Sequence, residues 1–189
     1  MFLKIKERIC ILKVNSSHGY YIKKVRSVLL TLLIVVAISS ILSTFWIRML
    51  HIYGDSMKPN LKAGDVVLSI KHNKLKQGDI IAFSCGNRIL VKRVIATSGQ
   101  WVNLDKDGNV YVDDKELTEP YLNGEKKSYG KVNIRLPYQV PDGRYFVMGD
   151  NRENSVDSRD SVVGAVSSNQ LVGKLELRIW PLSRIGIVK

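Results

Sequence analysis

The sequence predicts a mainly β chain: an antiparallel β-sheet core, partly closed and barrel-like, behind one N-terminal transmembrane helix. Three observations carry this. One uncharged apolar run, Ser27 to Ile47, is long enough to cross a bilayer. After it, short apolar runs are cut repeatedly by Gly, Asp, Asn and Pro. Beyond residue 48 no stretch keeps a helical period for three turns. Many short strands with regular turn signals are the pattern of antiparallel β domains.

Residues 1–26 form a basic tail. Seven Lys or Arg face Glu7 alone, a net +6 of the +12 carried by all 189 residues. The alternation Phe2-Leu3-Lys4-Ile5-Lys6 suits an anionic membrane surface and equally suits a solvated, disordered tail. The apolar run holds 21 residues. As a helix it spans about 31 Å, against a hydrocarbon core of about 30 Å. Lys23, Lys24 and Arg26 stand at one end and Arg48 at the other, with Phe45 and Trp46 where an interfacial aromatic belt sits. The denser charge lies before the run, so the positive-inside rule puts the N-terminus in the cytoplasm and residues 48–189 outside. Ala37-Ile38-Ser39 has the small-x-small pattern of a signal cleavage site. The apolarity continues past it and the preceding tail is long, which favours a retained anchor over residues 27–47.

The remaining +6 is mixed with acids throughout, and no nucleic-acid-binding module is present in the sequence. Nucleic acid is therefore not an expected partner. Cys10 and Cys85 fall on opposite sides of the membrane in this topology and cannot pair within one chain. Cys85, at the end of an apolar run, reads as a small strand hydrophobe. Neither cysteine nor histidine has metal-ligand spacing, and no metal or cofactor is expected.

Within residues 48–189, strands are expected at Val66–Ile70, Ile80–Cys85, Ile89–Ala96, Val110–Val112, Val132–Leu136, Tyr145–Met148 and Leu171–Ile179. Asp107-Gly108-Asn109 and Asp142-Gly143 are turn signals at hairpin spacing. The stretch 97–138 is more polar and richer in glycine, and reads as a smaller inserted β region.

Three stretches could carry chemistry. The first is Gly54-Asp55-Ser56-Met57-Lys58-Pro59-Asn60-Leu61. Ser56 is its candidate nucleophile, although the same residues also make an ordinary turn. A serine hydroxyl reacts only once a base takes its proton. His18 lies on the wrong side of the membrane, His51 lies at its edge and His72 in a charged turn; none has an orienting partner in sequence. The second is Ile89-Leu90-Val91-Lys92-Arg93-Val94-Ile95-Ala96. Strand alternation puts Leu90, Lys92 and Val94 on one face and Val91, Arg93 and Ile95 on the other. Desolvation in such a run depresses a lysine toward neutrality, as a base requires. An edge strand whose lysine snorkels to water would read the same way. The third, Met148 to Arg159, is polar and loop-like. It offers hydroxyls to hold an amine and carboxylates to pair a guanidinium.

Taken in order behind one anchor, these motifs resemble the type I signal peptidases, membrane-bound Ser/Lys endopeptidases. They are Gly-Asp-Ser56-Met-Lys-Pro-Asn-Leu, Gly64-Asp65-Val-Val-Leu, Lys92-Arg93-Val-Ile and Gly149-Asp-Asn-Arg-Glu-Asn-Ser155-Val-Asp157-Ser-Arg159. The single anchor and short outer part are similar to the Gram-positive branch. The resemblance implies Ser56 as acylating nucleophile, Lys92 as general base and Ser155 as the hydroxyl that orients Lys92. It implies that Asp157 pairs with Arg93 or Arg159. Met57 and Gly54 support the nucleophile; some members carry a serine at the position of Gly54 that helps the oxyanion hole, so here that task falls to backbone N–H groups. The implied substrates are signal-peptide-bearing preproteins, bound extended beside core strands, with small residues one and three positions before the cut. The implied partners are the lipid bilayer and the secretion translocon. Other readings are a processing enzyme for a small set of exported subunits, such as pilus subunits, or a non-catalytic assembly factor. Retention of both Ser56 and Lys92 favours an active enzyme.

Overall fold

The computed structural model describes residues 21–41, 47–72, 74–124 and 127–188, in two units, Met1–Phe45 and Trp46–Lys189. In the first unit, helix α1 covers Tyr21–Ile41. It is long and apolar enough to cross a membrane, and its side chains are exposed all round. It begins before the predicted run and takes in Lys23, Lys24 and Arg26, residues with good helix propensity. Ile47, expected at the far end of the anchor, instead opens the first strand of the second unit. Pairing explains this: Ile47 to His51 align with Ile70 to Val66, and ladder bonds replace the helical ones. Phe45, Trp46, Cys10, His18 and the tail before Tyr21 lie outside the described residues.

The strands of the second unit, among the described residues, are β1 (Ile47–His51), β2 (Val66–Ile70), β3 (Ile80–Cys85), β4 (Arg88–Thr97), β5 (Trp101–Leu104) and β6 (Val110–Val112), followed by β7 (Lys115–Glu116), β8 (Tyr138–Gln139), β9 (Arg144–Met148), β10 (Val166–Ser167), β11 (Leu171–Trp180) and β12 (Gly186–Ile187). They make a large antiparallel sheet, ordered β1-β2-β11-β3-β4-β9-β10 with β12 beside β11, and a small one, β7-β6-β5-β8. The end strands β1 and β10 do not pair with each other, so the large sheet is open and the expected barrel-like closure is absent among the described residues. β10 offers only two residues for pairing, the short kind of edge that ends a sheet.

β3 shows why the pattern gives a central strand. Its first four residues are all buried, with alternate residues on opposite faces. Ile80 and Ala82 join Ile52, Met57, Leu61, Val67 and Leu175, while Ile81 and Phe83 join Leu75, Val94, Val147 and Val166. The small sheet adds a third cluster. Val102, Leu104, Val110 and Val112 pack on Ile95, Ala96, Phe146 and Met148, covering part of β4 and β9. A bulge between Val94 and Ala96 lets consecutive β4 residues Ile95 and Ala96 both face it.

Two expectations need correction. Val132–Leu136 is not a strand. Asn133 is held instead by the 159–161 segment: its N–H donates to Arg159 O at 3.0 Å and its side chain to Asp160 Oδ1 at 3.0 Å. Asp142-Gly143 does turn the chain, but it joins β8 of the small sheet to β9 of the large one, so no hairpin forms there.

Candidate active site

Ser56 sits in the loop between β1 and β2. Met57 and Leu61, each at most 2 % exposed, are drawn into the core beneath it. Full burial of such side chains is worth about 1.5–3 kcal/mol apiece, enough to fix a short loop. Gly54 turns the chain just before, at φ +86°. Ser56 O accepts from Asn151 N–H at 3.0 Å, which ties the loop to the 149–159 stretch. Ser56 is half-buried, and no acceptor among the described residues takes its N–H.

Lys92 lies in β4, 3 % exposed, with Nζ 2.7 Å from Ser56 Oγ and 3.0 Å from Val91 O. Burial is the main reason its pKa falls from 10.5 to about 8. The charges of Asp157 and Asp150 oppose that fall and Arg159 adds to it. The net fall corresponds to about 3 kcal/mol against the ammonium. A neutral amine this close to a serine hydroxyl can take its proton.

The expected partners of the stretch after β9 fall into place only in part. Arg159 pairs with Asp157 through two hydrogen bonds of 2.9 Å, and also donates to Ser128 O, Tyr129 O and Arg152 O. Burial pushes the Asp157 carboxyl up, but Arg159 and the Gly149 N–H outweigh it and hold the carboxyl below its ordinary value. Ser155 Oγ is buried near Asp157 without being aligned for a hydrogen bond to any group. The bond implied between Ser155 and Lys92 is therefore not made. Gly149 explains the crowding. A Cβ there would fall on Ser155 Oγ and, at 2.6 Å, on Ser56 O.

Arg93 does not meet Asp157. It grips Asp150, with Nε to Oδ1 at 2.8 Å and an Nη to Oδ2 at 2.7 Å, and also donates to Gly78 O at 2.8 Å. Its guanidinium lies 4.0 Å from the centre of the Tyr121 ring. Alternation turns Arg93 away from Lys92, and Asp150, two residues beyond β9, is the carboxylate that side reaches.

Sequence reasoning missed five residues here: Asn60, Glu119, Tyr121, Asp150 and Arg152. Asn60 Nδ2 donates to Asp150 Oδ2 at 2.7 Å and Tyr121 O at 2.8 Å; Arg152 pairs with Glu119 in the interior. Asn60, Asp150 and Arg152 stood within quoted motifs. Nothing local marks Glu119 or Tyr121. Of the histidines, exposed His51 packs at a tilt on the Tyr53 ring and His72 pairs with Glu176 at 3.0 Å; neither bonds Ser56.

A cleft of about 700 Å³ opens at Ser56 and Lys92. Residues 49–54 with Ser56 and Met57 form one wall and 87–92 the other. β9 begins to pair with β4 only at Arg93, so β4 has an unpaired edge from Arg88 to Lys92. Such an edge accepts an extended peptide as an added strand.

The family model described as signal peptidase, peptidase S26, matches residues 25–180. Signal peptidase I T of Bacillus subtilis is 33% identical over 169 residues, 84% of this chain and 86% of its own. Signal peptidase IB of Staphylococcus aureus is 34% identical over 179 residues, 85% of this chain and 92% of its own. Among solved structures, a signal peptidase I from Enterococcus faecalis is 31% identical, with a TM-score of 0.47, over 55% of this chain and 97% of that one.

Proposed function

The chain belongs to the signal peptidase family, peptidase S26, and from that premise we propose how it removes signal peptides from exported preproteins: Ser56 is the nucleophile and Lys92 its general base. The observation that carries the proposal is the 2.7 Å approach of Nζ to Ser56 Oγ at a buried lysine whose pKa is lowered to about 8.

The preprotein lies extended in the cleft, pairing with the free edge of β4. Ser56 Oγ attacks the scissile carbonyl carbon as its proton passes to Lys92 Nζ. The Ser56 N–H is the donor for the oxyanion, since Gly54 brings no hydroxyl there. One such donor is worth about 3–4 kcal/mol in the transition state. Collapse of the tetrahedral intermediate breaks the C–N bond, and Lys92 gives its proton to the new N-terminus of the mature protein. Water, deprotonated by Lys92, then releases the signal peptide from the acyl-enzyme. Asp157 with Arg159 frames the loop beneath Ser56, Arg93 is held off by Asp150, and Ser155 is the hydroxyl beside the base. Met57 seats the nucleophile loop.

The apolar helix α1 is consistent with a single-pass membrane protein. Its orientation follows from the basic tail: N-terminus in the cytoplasm, residues 48–189 outside. The bilayer and the translocon are the partners this location supplies. The test is cleavage of a panel of preproteins by the full chain, with Ser56→Ala and Lys92→Met beside it. Both variants should insert and fold yet leave every preprotein uncut; turnover by either removes the mechanism.

A further inference from the structure

Behind Lys92 the inserted segment meets the residues around the site with the turn Pro120–Leu122 and the residue before it. Three separate parts of the site converge there. Asn60, four residues past the nucleophile, donates to Tyr121 O at 2.8 Å and Asp150 Oδ2 at 2.7 Å through the same Nδ2. Arg93, next to Lys92, lies with its guanidinium 4.0 Å from the Tyr121 ring centre. Arg152 donates to Gly149 O at 3.1 Å and through Nη1 to Glu119 Oε2 at 3.1 Å. The Tyr121 hydroxyl closes the set by donating to Glu119 Oε1 at 2.7 Å. The paired Arg152 and Glu119 side chains are 0% and 1% exposed.

We propose that Tyr121 and Glu119 are positioning residues for the cleavage reaction, fixing the spacing of Ser56 and Lys92 from behind. The Tyr121 backbone carbonyl holds the nucleophile loop through Asn60, and its ring meets the strand of the base through Arg93. Glu119 links both to the loop that carries Gly149 and Ser155, through Arg152. Neither lines the cleft beside Ser56 and Lys92. A buried ion pair adds little net stability over apolar side chains of the same volume. What Arg152 and Glu119 supply is a fixed geometry, because the fork of a guanidinium on a carboxylate admits few arrangements. Burial and the charge of Glu119 push the Tyr121 phenol up, so it stays a neutral donor at any working pH. The inserted segment is then part of the machinery that holds the reacting pair.

This inference rests on the roles given above to Ser56 and Lys92, and the experiment separates the two. Full-length protein in detergent cleaves one preprotein, with kcat and KM measured below the melting temperature of each variant. Tyr121→Leu should lower kcat by about tenfold or more while KM stays near the parent value, since small displacements of a reacting pair are costly. Tyr121→Phe keeps the ring over Arg93 and should recover most of that loss. Glu119→Gln keeps shape and loses the ion pair, and should also lower kcat alone; it decides the matter if Tyr121→Leu does not fold. Unchanged kcat in the folded variants overturns the proposal, as does a rise in KM alone or an equal loss in Tyr121→Phe and Tyr121→Leu. Ser56→Ala and Lys92→Arg run alongside. Cleavage surviving in either one shows that the dyad was misassigned; both inactive with Tyr121→Leu unaffected shows that only the positioning role fails.

Discussion

Arg93 and Asp150 form a buried two-pronged ion pair, 2.8 and 2.7 Å, immediately behind the strand residue that meets Ser56. Asp150→Asn leaves a guanidinium in the interior without its carboxylate. Breaking a buried pair this way costs about 3–5 kcal/mol. The Asp150 charge also favours the Lys92 ammonium, so its loss depresses Lys92 further. The variant should melt well below the parent, and its residual cleavage should set in at lower pH. An unchanged melting temperature would mean that Arg93 is satisfied without Asp150.

Gly149→Ala tests the crowding beneath the nucleophile. The added methyl would meet Ser155 Oγ and Ser56 O, the latter at 2.6 Å, and one of those loops must shift. Overpacking of this kind costs about 1–3 kcal/mol. Cleavage should fall far more than that stability loss explains, because one of the atoms it meets is the Ser56 carbonyl oxygen. A variant as active as the parent would show that the loop yields without moving Oγ.

Ser155→Ala removes a buried hydroxyl that has no hydrogen-bond partner. An unsatisfied buried polar group costs about 1–3 kcal/mol, so the alanine should leave stability unchanged or raise it. Cleavage should drop less than in Ser56→Ala, since Ser155 is not the reacting hydroxyl. Denaturant unfolding and initial rates on the same preparation check both parts. Strong destabilisation would point to a hydrogen bond formed in solution.

The strands that were easiest to read were those whose chemistry is local. Val66–Ile70 and Ile80–Cys85 are apolar runs bounded by Gly-Asp, and they form β2 and β3 with those limits. β1 was hidden because Ile47 continues the apolar run before it, and only pairing with β2 separates the two. Lys92 stood out as a base candidate because it interrupts an apolar strand. The partner of Arg93 did not, because Asp150 and Asp157 lie in one polar stretch and spacing cannot choose between them. Glu119 and Tyr121 were invisible for a deeper reason. Their contacts with Arg152 span 33 and 31 residues, and nothing near them in sequence differs from a surface turn.

The proposed orientation of the chain rests on where its charge lies. If the +6 tail stays inside as proposed, protease added to intact protoplasts should digest the part after residue 48. Protection until the cells are permeabilised would place Ser56 in the cytoplasm and reverse the topology.

Lys92 connects rate to pH and to stability through one pKa. Its value of about 8 in the fold means that the neutral amine, the only form able to take the Ser56 proton, dominates above that pH. Cleavage by the parent should therefore rise with a midpoint near 8. Lys92→Arg should be inactive throughout, because a guanidinium stays protonated. The stability effect has a definite sign. The fold binds the Lys92 proton less tightly than the unfolded chain does, so the ammonium carries a penalty that is complete below about 8 and disappears as pH rises to 10.5. That penalty is about 3 kcal/mol. Lys92→Met keeps the apolar length without the charge, so it should be the more stable protein at pH 6, and the gap should close between pH 8 and 10.5. Paired denaturant melts across that range read the gap directly. A gap that stays constant with pH would show that Lys92 titrates as an ordinary surface lysine, and the 2.7 Å contact with Ser56 would then need another base beside it.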